Sequence, residues 1–197
     1  MTILAAATGW DGTWIGSDGL GTVDGRVVQT DAEKWNVSPN GIWAFAGGGS
    51  WAFDFALRYD GSFQWPETVV GAEGVALLAS AMRDRLLGLP SFRIDEQRSA
   101  PFGDFEWSPL VVGPGGGPWR PNCDLWTVGG PVEGAYQAAG AGQDFASGAM
   151  SALIAAGETS AETIVRAGIN TACRMSVWCG GEIFIHRMPA CRTVRHP

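Results

Sequence analysis

Lysine is all but missing from this chain of 197 residues: twelve arginines stand beside a single lysine, Lys34. Charge of either sign is sparse, at 17% of residues against 46% apolar, and the balance is acidic, with a formal net charge of −7. A surface without excess cations lacks the electrostatic footprint that duplex or single-stranded nucleic acid requires, so no nucleic-acid partner is expected. No apolar run approaches the ~20 residues that span a bilayer, so no membrane partner is expected either. The N-terminus lacks a basic stretch followed by an apolar one, which argues against a secretory signal. The four cysteines, Cys123, Cys173, Cys179 and Cys191, include no CxxC pair. They are too scattered to make a zinc site with His186 and His196, so no metal is expected. Reduced thiols in a cytoplasm are the expectation.

Glycine, by contrast, is abundant: 29 residues, without a collagen period. That fits a sheet-rich fold with many tight turns. The length suits one domain with a sizeable core, and neither a repeat nor a second domain is visible. The lone lysine stands out against this background. A codon bias toward arginine accounts for the twelve but not for the one exception. Lysine and arginine serve equally as surface solubilisers, yet only lysine supplies a compact ammonium able to tune a neighbour's pKa. Composition alone leaves a chance survivor and a selected ammonium both open.

Periodicity predicts a hairpin from Thr2–Thr8 and Thr13–Asp18 around the turn Gly9-Trp10-Asp11-Gly12. Glycines 19, 21 and 25 punctuate a loop. Short strands follow at Val27–Val28, Trp35–Val37 and Ile42–Ala46, the last running into Gly47–Gly49. The period then switches. Ser50 reads as the N-cap of a helix to about Asp60, and Gly71–Leu87 as a second helix with Val75, Leu78, Ala79 and Met82 inward. Residues 89–105 read as a surface loop or lid. Strands are expected at Trp107–Val112, Asp124–Val128 and Ala135–Ala139, with the glycine-rich run 113–118 between the first two. A helix from Gln143 to about Ala156 follows, with Phe145, Ala149, Met150, Leu153 and Ile154 as its apolar stripe and Gly157 closing it. Thr159-x-x-Glu162 has the form of a capping box before a helix with Ile164, Val165, Gly168, Ile169 and Ala172 inward. Glu182–Met188 is the last strand. Helices are grouped apart from antiparallel strands, so the fold class is α+β, with two central sheets covered outside by helix pairs.

Several motifs fail on inspection. Gly113–Gly117 lacks the Gly-Lys-Ser/Thr ending of a phosphate loop, and Phe145 stands where a dinucleotide fingerprint opened by Gly140-Ala141-Gly142 needs its third glycine. No cofactor is expected. His186 lies in an apolar strand and reads as structural, and Cys173 and Cys179 read as core. One constellation survives. Met1 precedes a small residue, and its removal would leave Thr2 with a free α-amine. A threonine hydroxyl is a poor nucleophile alone, but an adjacent amine of pKa ~7.7–8.0 serves as its base. Such a site needs a carboxylate and a cation beside it. Asp18 ends the strand expected to pair with Thr2's own, and Lys34 follows sixteen residues later.

The stretch Thr2–Gly49 resembles the proteasome β-subunit and HslV peptidase family of N-terminal-nucleophile hydrolases. Thr2, Asp18 and Lys34 match the family's spacings of sixteen and thirty-two without a gap. The contexts Gly16-Ser17-Asp18-Gly19, Thr22 and Phe45-Ala46-Gly47-Gly48 match as well. Farther on, Gly140-Ala141-Gly142-Gln143-Asp144-Phe145-Ala146 looks like the family's glycine turn into its third helix, and Cys179-Gly180-Gly181 like its late turn. Three positions depart from the pattern. Ala141 stands where the turn normally has serine, and Ser176 and Cys179 where the late turn usually has aspartate and serine. HslV-type members also lack part of that late pair.

The resemblance implies a four-layer αββα sandwich over residues 1–197 and a threonine-type endopeptidase. In that reading Thr2 attacks the amide, its unmasked amine takes the hydroxyl proton, Lys34 holds positive charge nearby and Asp18 positions Lys34. The N–H of Gly48, with Gly47 as a one-residue alternative, stabilises the oxyanion, and Thr22 pairs with the substrate backbone. Peptide or unfolded protein is the implied substrate, and the resemblance leaves room for an ATPase partner. The weakly charged helices 71–87 and 143–156 and ten tryptophans point to a homo-oligomer, with a ring enclosing the Thr2 sites as the expected form. Two other readings stay open: a small-amide amidohydrolase of the same fold, and an inactive structural or assembly subunit.

Overall fold

The computed structural model describes residues 2–23, 26–31, 34–38, 44–48, 71–87, 108–113, 116–121, 128–129 and 136–189. In chain order these form β1 (Ile3–Gly9), β2 (Gly12–Asp18), β3 (Gly21–Val23), β4 (Arg26–Gln29), β5 (Trp35–Val37), β6 (Ala44–Gly48), α1 (Gly71–Leu87), β7 (Ser108–Gly113), β8 (Gly116–Pro121), β9 (Val128–Gly129), β10 (Tyr136–Gly140), α2 (Gln143–Ala155), α3 (Ala161–Met175) and β11 (Ile183–Arg187). The helix expected from Ser50, the loop at 89–105 and residues 124–127 of an expected strand lie outside the described residues.

The β1–β2 hairpin forms where the sequence predicts it and makes the centre of a four-stranded antiparallel sheet, ordered β10-β1-β2-β11. Successive side chains of β1 point to opposite faces. Ile3, Ala5 and Ala7 join Ala146, Met150, Ile164, Val165, Ile169 and Ala172 in a core beneath α2 and α3. Leu4 and Ala6 join Ile15, Trp35, Leu110, Val112 and Ala139 in a second core on the opposite face. That core lies against a five-stranded antiparallel sheet, β5-β6-β7-β8-β9, whose β7, β8 and β9 carry α1. The layers are helix, sheet, sheet, helix, and the α+β class holds. Small residues allow the close stacking. A Cβ on Gly16 of β2 would stand 2.7 Å from Ile169 Cδ1 and 2.8 Å from the Phe184 carbonyl, so α3 seats directly on the sheet. Leu4 and Ile15 are wholly buried between the sheets, each favouring the fold by about 1.5–3 kcal/mol.

Four expectations need correction. Phe145 is 41% exposed, and Ala146 takes its place beside Met150 on the buried face of α2, where α3 comes so close that a Cβ on Gly168 would stand 2.8 Å from Met150 Cγ. The N-cap of α3 is Ser160, whose hydroxyl accepts from Thr163 N, and not Thr159. The run expected only to separate strands contains β8, where Trp119 pairs with Val111 and is buried. The loop after Asp18 contains β3, which pairs with β4 in a separate two-stranded ribbon. His186 is half-buried in β11 and faces the ring of Trp35 at 6.4 Å.

Candidate active site

Asp18 ends β2 with its carboxylate fully buried, and four donors converge on it. Oδ1 accepts from Thr2 Oγ1 at 2.7 Å, Lys34 Nζ at 2.6 Å and the backbone N–H of Ile3 at 3.0 Å. Oδ2 accepts from the N–H of Gly180 at 2.9 Å. A buried carboxylate is tolerated only when paired and hydrogen-bonded, and here both conditions are met. Lys34 is 9% exposed, sits just before β5, and gives a second hydrogen bond to the Leu20 carbonyl at 2.9 Å. Burial pushes the Lys34 ammonium below its ordinary pKa, while the charge and hydrogen bond of Asp18 pull in the opposite direction without cancelling the effect.

Thr2 is held from the other side by the turn that opens α2. Its carbonyl accepts from Ala141 N at 2.8 Å. Gly140 pairs with Ile3 at φ 101°, and a Cβ there would run into the Thr2 carbonyl. Only glycine meets both demands, the positive φ and the close approach. The Gly140-Ala141-Gly142 turn therefore acts through its backbone.

The structure thus joins Thr2, Asp18 and Lys34 through one carboxylate oxygen. It places Gly47 and Gly48 in β6, opposite Pro109 and Ser108 of β7, with β6 packed near β1. Thr22 lies in β3 opposite Val27. The backbone participants, Leu20 O, Ala141 N and Gly180 N, have no signature of residue type. The signals near them are the glycines beside them, in Gly140-Ala141-Gly142 and Gly180-Gly181.

Other nucleophiles are poorly suited. Burial pushes the Cys173 thiol up to about 12, helped by the nearby Asp18 charge. Burial also raises Cys179, against a hydrogen bond with Ser176 that works the other way. Both thiols stay protonated at neutral pH. Among the described residues no group of three or more His, Cys, Asp or Glu side chains is placed to hold a metal, and no helix is long and apolar enough to cross a membrane.

No protein-family model matches the sequence, and no curated protein matches it either. Solved structures do match its fold. Eukaryotic HslV from Trypanosoma brucei superimposes with a TM-score of 0.69 at 21% identity, covering 94% of this chain and 98% of that one. The fold is that of HslV. Thiobacillus denitrificans BPH aligns with a TM-score of 0.75 at 20% identity over 95% of this chain and 98% of its own. BPH in complex with epoxomicin gives a TM-score of 0.74 at 20% identity over 95% and 99%. The HslV-like arrangement spans nearly the whole chain, so the resemblance carried by Thr2–Gly49 extends to the architecture.

Proposed function

We propose that the chain is a threonine-type endopeptidase in which Thr2, exposed by removal of Met1, is the nucleophile. The observation that carries this reading is the convergence of Thr2 Oγ1 and Lys34 Nζ on Asp18 Oδ1. While Thr2 is acylated by Met1 there is no amine to serve as base, and the hydroxyl rests on Asp18. With the amine free, the hydroxyl turns to it and gives up its proton. Oγ1 attacks the amide carbonyl, and the oxyanion is stabilised by the N–H of Gly48 or Gly47. The protonated amine then donates to the departing amine, leaving an ester on Oγ1. A water molecule, deprotonated by the same amine, hydrolyses that ester. Lys34 keeps positive charge beside the amine and holds its proton affinity down, and Asp18 fixes Lys34. Thr22 takes the substrate backbone as an added strand.

The whole chain, residues 1–197, is read as one N-terminal-nucleophile domain, acting on peptide or unfolded protein in a cytoplasm. A homo-oligomeric ring, open to an ATPase partner, suits the exposed apolar side chains Val27, Val28, Phe145, Met175 and Val177. One observation favours a competing reading as an inactive assembly subunit. Ala141 offers the site its backbone but no hydroxyl, and Ser176 offers no carboxylate.

The test uses chain from which Met1 has been removed, verified by intact mass. It should hydrolyse fluorogenic peptides and bind epoxomicin, the ligand of the BPH complex. A Thr2→Ala variant should fold equally well and hydrolyse none. An inert Met1-free wild type of ring size by light scattering favours the assembly subunit, and an active monomer near 21 kDa favours the amidohydrolase.

A further inference from the structure

The segment between α3 and β11 touches two parts of the molecule through N–H groups two residues apart. Gly180 N donates to Asp18 Oδ2 at 2.9 Å, and Glu182 N donates to the Thr30 carbonyl at 2.8 Å. Thr30 directly follows β4. Its carbonyl lies between two glycines. A Cβ on Gly181, which has φ 75°, would overlap it, and a Cβ on Gly19 would stand 2.5 Å from it. Among the described elements, β3 and β4 pair only with each other. They make a two-stranded sheet, and all four residues of β4 are exposed. Two strands alone are marginal in water, so an anchor at the end of β4 matters more here than it would within a larger sheet.

We propose that Gly181 is a positioning residue: with Glu182 N it latches the β3–β4 ribbon, which carries Thr22, to the same backbone segment that holds Asp18. The consequence for peptides rests on the peptidase reading above, in which an extended substrate pairs along β3. Asp18 and the ribbon then share one rigid reference, and the distance between the reacting carbonyl and the strand-pairing edge is set by a segment of three residues, 180–182. Gly181 touches neither nucleophile nor substrate and acts through Thr30.

The test is Gly181→Ala, compared with Gly157→Ala. Gly157 has φ 91° with nothing within 4 Å of an added Cβ, so it reproduces the backbone strain without the Thr30 contact. In the Gly181 variant, hydrogen exchange at Gly21–Val23 and Arg26–Thr30 should accelerate about 10-fold, the equivalent of one lost backbone hydrogen bond. KM for an extended peptide should rise by a similar factor with kcat changed much less, while a single-residue reporter amide is turned over at the wild-type rate. Gly157→Ala should change none of these. Unchanged ribbon exchange in Gly181→Ala overturns the latch, as does a fall in kcat equal to the rise in KM. If Gly181→Ala does not fold, Glu182→Pro, which deletes the donor to Thr30, supplies the same exchange comparison. Exchange decides the latch whether or not peptides are cleaved, whereas an inert Met1-free wild type counts against the role of Thr2.

Discussion

The β1–β2 hairpin carries an aspartate at each end, and the two do different work. Asp11, in the turn, accepts from Ser160 Oγ at 2.9 Å, Ala161 N at 2.7 Å and Glu162 N at 3.2 Å. It caps α3 from another part of the chain, satisfying N–H groups that a helix N-terminus leaves open. Asp18 also collects backbone N–H groups, from Ile3 and Gly180, but adds the Lys34 ammonium and the Thr2 hydroxyl. Asp11 is half-buried and Asp18 fully buried. A carboxylate surrounded by neutral N–H donors supports a helix. A carboxylate given a buried cation and a hydroxyl joins the three groups that the proposed peptidase chemistry uses. The difference lies in the donors and the burial, since the residue type is the same.

Breaking the inner end should have the largest effect. Asp18→Asn leaves the Lys34 ammonium buried without a counter-charge, and removing one partner of a buried pair costs about 3–5 kcal/mol. Denaturant unfolding should record that loss, and peptide hydrolysis should vanish. Retention of wild-type stability would mean that water reaches Lys34 and that the pair is not truly buried.

Lys34→Arg comes next. It keeps the positive charge but replaces a compact ammonium by a planar fork that cannot fit both Asp18 Oδ1 and the Leu20 carbonyl in the same space. Turnover should fall by about 100-fold or more, the scale of a lost proton-handling group. The unfolding midpoint should move much less than in Asp18→Asn. Full activity in this variant would return the lone lysine to codon usage.

Much of this comparison was legible beforehand, and the reason is spacing. A hairpin of known turn fixes which residues lie together, so the sequence places Thr2 beside Asp18, and the lone lysine with the family resemblance in spacing adds Lys34. Strand and helix positions followed where apolar contrast was strong, as in α3 with Ile164, Val165 and Ile169. Contrast failed in α2. Its residues are mostly small, so the larger Phe145 was expected inside. The tight approach of α3 selects Ala146 by size, and Phe145 is left facing outward. β8 was hidden because Gly-Gly-Pro-Trp-Arg-Pro has turn composition, and pairing with β7 overrides that preference. The donors to Asp18 from Ile3 and Gly180, and the Thr30 latch, are backbone atoms. They depend on three-dimensional approach and leave no mark on residue choice beyond the glycines that make room.

The outer end gives the smallest effect, and that effect depends on pH. Burial works against the Asp11 carboxylate, but the N–H groups of Ala161 and Glu162 and the Ser160 hydroxyl outweigh it and hold its pKa below the ordinary value. A folded-state pKa lower than the unfolded ~3.9 means that the unfolded chain binds the proton more readily. The contribution of Asp11 is therefore complete above the unfolded value and disappears as pH falls through the folded one. Lys34 shifts in the same direction but for the opposite reason. Its folded pKa lies below that of the unfolded chain because burial disfavours the ammonium, so its charge works against folding and that cost is relieved as pH rises between the two values. Asp11→Ala should cost about 1 kcal/mol at pH 7, the scale of a lost helix cap, with peptide turnover unchanged. The same variant should show a shallower loss of stability below pH ~4 than the wild type, because one carboxylate that must be protonated on unfolding is gone. Urea unfolding at pH 7 and pH 3 measures both. An equal difference between variant and wild type at the two pH values would show that Asp11 caps α3 without its charge, and a loss of turnover would show that the two ends of the hairpin are coupled.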